Sequence, residues 1–173
     1  VVFGTGHNLG EDFVALTRKK FETPFGQTPC DNEFVDLVAE RLGDAAWRSE
    51  LVHRDEHSIE FQVLYLQRRL KYRRFTLVPI LCGAFHRLMD GHKTPHDEPE
   101  LETLIAAVRE AEATFGGPTL YVAGVDFSHV GPRFGDPRLD AETAAEMRAT
   151  DEKAITAAAS GDADRWFEAI AAG

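Results

Sequence analysis

Two cysteines in 173 residues are too few for a disulfide framework or a zinc ribbon. No apolar run approaches the length of a bilayer span and no signal peptide is visible, so no membrane is expected among the partners. Positive charge is scarce as well. Lys and Arg number 19 against 29 Asp and Glu, a formal net charge of −10. That balance repels phosphates and argues against nucleic acid or anionic membrane as a partner. The chain has no internal repeat and no low-complexity tract. With 43% apolar residues it reads as one globular domain, residues 1–173, with room for a real core and a cytoplasmic location.

Its organisation alternates. Val1, Val2 and Phe3 open a strand, and residues 12–28 are mixed, with Phe13, Val14, Leu16, Phe21 and Phe25 in short strands. A helix is predicted over residues 32–42, with Phe34, Leu37, Val38 and Leu42 on one face and Asp31 as its cap. Leu51, Val52 and His53 read as a short strand leading into a second helix, where Ile59, Val63, Leu66 and Leu70 recur at helical spacing. A buried strand over residues 75–82 follows, closing on Cys82 as a small hydrophobe, then a polar loop over residues 90–99. Leu101, Leu104, Ile105, Val108 and Phe115 mark a third helix, ended by Gly116, Gly117 and Pro118. Another buried strand covers residues 119–125. Asp140 caps an Ala-rich helix running to about residue 160, and Asp162 starts a last one bearing Trp166, Phe167 and Ile170. Such alternation predicts a three-layer α/β domain with a largely parallel central sheet flanked by helices.

Chemistry-bearing residues concentrate at three places. The first is the sharp turn Gly4-Thr5-Gly6-His7-Asn8-Leu9-Gly10, directly after the opening strand. A dinucleotide fingerprint would need its third glycine where Leu9 stands, and no Lys-Ser or Lys-Thr pair follows to make a Walker loop. The second is Asp55-Glu56-His57-Ser58-Ile59-Glu60 at a helix start, with Asp55 expected as N-cap and Glu56 facing the positive helix end. His57 and Glu60 share one helix face, the spacing of a base and its orienting acid. A capped surface helix is the alternative. The third is Asp126-Phe127-Ser128-His129 in the turn leaving a strand, where open α/β sheets bind their ligands. Here the alternative is a turn-capping acid beside an ordinary loop histidine. His7 and His129, each at a strand exit, suit a single metal ion.

Two further groups are weaker. His92 and His96 are four residues apart, but Pro95 and Pro99 argue against the helix that a metal site there would need. Arg68, Arg69, Lys71, Arg73 and Arg74 form the basic cluster of the chain. They read as a solvated helix terminus, where cations meet the negative helix end, with an anion site as the alternative.

Taken in order, the three segments resemble the Memo-like family. Phe3-Gly4-Thr5-Gly6-His7-Asn8 is similar to its Gly-x-x-His loop, and Asp55-Glu56-His57-Ser58-Ile59-Glu60 to its Glu-His-Ser-x-Glu helix start. Asp126-Phe127-Ser128-His129 with Gly131, Arg133 and Phe134 is similar to its Asp-Phe-Ser-His-x-Gly-x-Arg-Phe stretch. Leu77-Val78-Pro79-Ile80-Leu81-Cys82-Gly83 resembles its Val-Pro-x-Leu-x-Gly strand.

The resemblance implies the fold of class III extradiol ring-cleaving dioxygenases, and a metal bound by histidines and a cysteine. Carried over, it makes His7 and His129 metal ligands and Asp126 a ligand or orienting acid. His57 becomes an acid/base of the same pocket, with Glu56 and Glu60 behind it. The implied metal is Fe(II), with Zn(II) or Cu(II) suited to the same donors. The family's opening Pro-His-Ala-Gly segment and its closing Cys-Gly stretch have no counterpart here, so the domain is expected to be incomplete at both ends. Gly124 and Val125 stand where the family has a pair of serines.

On Fe(II) these ligands leave room for substrate and O₂, whereas on Zn(II) they activate water. Dioxygenase, metal-dependent hydrolase and plain metal binder all fit. A binding or signalling module that keeps the cleft but not the chemistry, taking a small-molecule or peptide ligand, is the non-catalytic alternative. An idle scaffold fragment is the third.

Overall fold

In a computed structural model of the chain, residues 1–71, 73–91 and 93–172 are described. They form two compact units, Val1–Val125 and Asp126–Gly173.

The first unit is built on a four-stranded sheet. Its strands are β1 (Val2–Thr5), β2 (Val14–Leu16), β5 (Pro79–Cys82) and β6 (Val122–Gly124), in the order β2-β5-β1-β6. β1 runs parallel to both β5 and β6, and only β2 is antiparallel, against β5. The largely parallel sheet expected from the alternating pattern is therefore present. Between β2 and the first helix lies a hairpin of β3 (Phe21–Thr23) and β4 (Gly26–Thr28).

Helices α1 (Asn32–Leu42) and α4 (Pro99–Phe115) cover one face of the sheet, packing Phe34, Val38, Leu104 and Val108 onto Val14, Leu16, Val78 and Ile80. Helix α2 (Ser58–Leu70) covers the other, setting Ile59 and Val63 against Val2, Ala15 and Leu81. Alternate residues along one strand thus enter opposite cores, which is why the central strands read as unbroken apolar runs. Local signals place the helix ends well. The Asp31 carboxylate accepts from the Phe34 N–H at 3.2 Å, and Gly116 closes α4 at φ 65°. Helix α3 (His86–Asp90) is a short connector.

Several expectations change. Leu51, Val52 and His53 lie in a 3₁₀ segment, Glu50–Arg54, not in a strand. His53 there uses its ring to bind the Ala15 carbonyl at 2.9 Å, a side-chain partner that replaces a strand ladder. The strand expected over 75–82 narrows to β5. The strand over 119–125 narrows to β6 and is not buried, since Leu120 is 61% and Tyr121 42% exposed. β6 pairs with β1 alone and lies at the sheet's edge among the described residues, so one side has nothing to bury against.

Within the second unit, α5 (Ala141–Ser160) and α6 (Ala163–Ala171) pack through Ala154, Ala157 and Phe167. Asp140 caps α5 by accepting from the Thr143 N–H at 2.8 Å, and Asp162 caps α6, as the sequence indicates. No helix among the described residues is long and apolar enough to cross a membrane.

Candidate metal centre

The first unit brings Glu56, His57 and His7 together through a close contact between α2 and the sheet. A Cβ on Gly4 would lie 2.5 Å from Ile59 Cγ1 and 2.6 Å from Ser58 Oγ, so only glycine lets the first turn of α2 rest on β1. Gly124 plays the same part on β6, where an added Cβ would lie 2.8 Å from the Ser58 carbonyl oxygen. The Ser58 hydroxyl then donates to the Thr5 carbonyl at 2.8 Å, which pins the helix start to the carboxyl end of β1. His7 leaves β1 at that same end, the side of an α/β sheet where ligands bind.

Glu56 is the centre of the arrangement. Its side chain is only 2% exposed, yet it is fully partnered. Oε2 accepts from the His7 N–H at 3.0 Å and lies 2.9 Å from His7 Nδ1. Oε1 accepts from the His57 and Ser58 N–H groups at 2.8 and 3.1 Å, and His57 Nδ1 is 3.3 Å away. Burial by itself would raise this carboxyl. The hydrogen bonds from His7, Ser58 and His57 together outweigh it and hold the acid below its ordinary value.

This corrects the expected cap. Asp55 does not cap α2: it ends the preceding 3₁₀ segment and pairs outward with Arg54 at 2.8 Å. The formal N-cap is His57, whose side chain makes no capping bond, and the neighbouring Glu56 carboxylate satisfies the first backbone donors. A carboxylate is the acceptor at His7 Nδ1, which makes Nδ1 the protonated nitrogen and leaves the lone pair on Nε2. His57 stacks on His7 with ring centroids 5.3 Å apart and an interplanar angle of 12°, and also meets the edge of Phe61 at 5.4 Å. One donor atom from each of His7, Glu56 and His57 lies within 4.8 Å of the other two. Two imidazoles and a carboxylate are a donor set that fits Fe(II), Zn(II) or Cu(II). Glu56 already accepts three backbone hydrogen bonds, so its chemistry suits orienting His7 more than ligating. Glu60 lies one turn further along α2, half-buried and outside this cluster.

The other predicted site residues belong to the second unit. Asp126 Oδ2 and His129 Nδ1 are 3.7 Å apart, both partly exposed, and His129 meets the edge of Phe134 at 5.2 Å. The structure ties this loop down through a residue the sequence did not single out. Asp151 on α5 accepts from the Ser128 hydroxyl at 2.8 Å and from its N–H at 3.3 Å. No local pattern links positions 23 residues apart, so that anchor left no signal. Of the loop histidine pair, His92 lies outside the described residues, while His96 bonds Glu102 at 2.8 Å. Burial pushes the Cys30 and Cys82 thiols up to about 12, and neither belongs to the His7, Glu56 and His57 cluster.

Comparison with known proteins agrees with the motifs. Residues 1–172 match the family model described as Memo-like protein. A MEMO1 family protein of Thermococcus onnurineus is 30% identical over 138 residues, 78% of this chain and 43% of that protein. One from Thermus thermophilus is 31% identical over 149 residues, covering 86% and 40%. One from Methanosarcina acetivorans is 30% identical over 157 residues, covering 91% and 49%. The chain spans less than half the length of these curated relatives. No solved structure matches it significantly.

Proposed function

The chain belongs to the Memo-like protein family, and from that premise we propose that the His7–Glu56–His57 cluster is a divalent-metal site of an enzyme-like protein resembling extradiol dioxygenases. The observation that carries the reading is the buried, ionised Glu56 fixing His7 through both its backbone N–H and Nδ1. Ligating histidines characteristically present their second nitrogen to such an acid. His7 would hold the metal through Nε2, with His57 as the second imidazole. Fe(II) is the first assignment, with Zn(II) and Cu(II) suited to the same donors. Bound there, the metal supplies Lewis acidity and open coordination positions.

The chain's own residues supply the rest. Glu56 holds the tautomer and ring plane of His7. His57 is 59% exposed and within reach of a bound hydroxyl group, with which it can exchange a proton. Phe61 and Tyr65, 51% and 72% exposed on α2, provide apolar surface beside it for a small-molecule or peptide ligand. That surface also favours the non-catalytic reading, in which the cleft binds without reacting.

The test is the metal content of the purified chain by mass spectrometry beside His7→Ala and Glu56→Gln. Near-stoichiometric metal that is lost in His7→Ala, and bound roughly 10–100-fold more weakly in Glu56→Gln, supports the assignment. Equal trace metal in all three removes it and leaves the binding module. His129→Ala, measured alongside, tests the ligand that only the family resemblance supplies.

A further inference from the structure

The opposite end of α2 carries a second feature that the metal reading does not use. α2 has 13 residues, so its C-terminus lies about 20 Å from the Glu56 cluster. There the chain opens into a trough of about 1170 Å³, lined on one side by Gln67, Arg68, Lys71, Arg73, Arg74 and Phe75 and on the other by the β3–β4 hairpin. Four cations line it: Arg68, Lys71, Arg73 and Arg74. None of their side chains has a hydrogen-bond or ion-pair partner among the described residues, and no carboxylate is among the lining residues. In a chain of net charge −10, four cations in one concavity with no partner among the described residues are not an average of the composition.

A helix terminus does not account for them. Favourable contact with the helix dipole is confined to the last turn, which holds Arg68 and Arg69. Arg69 is not part of the trough, while Lys71, Arg73 and Arg74 lie beyond the helix and are. Lys71 takes φ 52°, the one non-glycine residue at positive φ among the described residues, so the chain turns sharply as it leaves α2. The facing wall is held in place. Gln67 donates to the Thr28 hydroxyl at 2.9 Å and to the Gly26 carbonyl at 3.1 Å, and accepts from the Thr23 hydroxyl. This fastens the hairpin across the last turns of α2. Phe25, 57% exposed at the hairpin tip, and Phe75 add aromatic faces to the same space.

We propose that this trough binds a small polyphosphorylated molecule of the nucleoside di- or triphosphate class. The arginines and Lys71 take the phosphates, and Phe25 and Phe75 take the flat ring. Arginine forks match phosphate oxygens, and aromatic faces accept a base without reading its sequence. The charge count favours a compact polyanion, since a nucleic acid would bring its phosphates against the acidic remainder of the surface.

The test is isothermal titration calorimetry of the full chain with ATP, pyrophosphate and adenosine, and co-sedimentation with vesicles containing phosphoinositides. ATP should bind more tightly than pyrophosphate, adenosine should bind weakly, and affinity should fall as salt rises. Arg73→Gln/Arg74→Gln should cost on the order of tenfold in ATP affinity per arginine. Phe25→Ala should lower the affinity for ATP but not for pyrophosphate. Arg138→Gln/Arg148→Gln, removing the same charge from exposed positions of the second unit, should leave binding intact. Matching circular dichroism spectra establish that the variants fold. The proposal is overturned if ATP and pyrophosphate fail to bind, if both double variants weaken binding equally, or if only the vesicles are bound.

Discussion

Glu56 and His7 are 49 positions apart in sequence and 2.9 Å apart in space, whereas Asp126 and His129 are three positions apart and 3.7 Å distant. Both are acid–imidazole pairs at the exit of a strand. The first acid is 2% exposed and receives three backbone N–H groups. The second is 37% exposed, beside a half-exposed ring. Proximity in sequence produces an encounter that solvent screens. Burial with backbone donors holds a charge in place and orients the imidazole beside it. The contrast locates the built part of the site in the sheet–α2 junction.

Gly4→Val attacks that junction most directly. It should destabilise the first unit by about 3 kcal/mol, because its side chain must displace Ile59 and Ser58. Chemical denaturation reads the loss, and the metal content should fall with it even where the chain stays folded. An unchanged midpoint would mean that α2 does not rest on β1 as described.

Glu56→Gln should cost less, about 2 kcal/mol, since the amide keeps one acceptor for the backbone donors and loses the other. Asp126→Asn, the matching change in the second unit, should move stability by less than about 0.5 kcal/mol. Equal effects of the two substitutions would erase the distinction between the pairs.

Acid titration sharpens the comparison further. The Glu56 carboxyl is held below its ordinary value, so its stabilising contribution is complete above that value and disappears as pH falls through the native one. Glu56→Gln should remove that part of the acid limb below about pH 4.5, and Asp126→Asn should not. His53 behaves in the opposite sense. Burial lowers its value, against the Ala15 carbonyl bond, and its Nδ1 is buried with no hydrogen-bond partner among the described residues. The unfolded chain therefore takes up the proton first, and stability falls as pH drops below about 6.5. His53→Gln should flatten the stability profile below about pH 6.5, the smallest of these effects.

How much of this was legible depends on how far each cause reaches along the chain. Helix α1 appears over the predicted residues with the predicted cap, because a 3.6-residue apolar period and an Asp at the N-cap are local facts. α5 and α6 begin after Asp140 and Asp162 for the same reason. His7, Glu56 and His57 were visible as chemistry at a strand exit and a helix start. What joins them was not. Asp55 looked the better cap, and only the 3₁₀ turn before it, which points Asp55 at Arg54, gave the role to Glu56.

The sequence by itself determined most of the alternation of strands and helices, the caps of α1, α5 and α6, the acidic surface and the motifs of the family, since each is carried by residues within a turn or two of one another. The tertiary structure decided that Leu120 and Tyr121 stay exposed, because burial at a sheet edge depends on whatever lies beside it. It decided that Glu56 serves His7, because β1 and α2 meet only where Gly4 leaves room. It also turned the basic segment after α2 into a wall, because the hairpin that faces it comes from some 40 residues upstream, and no local pattern records which distant segment will close a space.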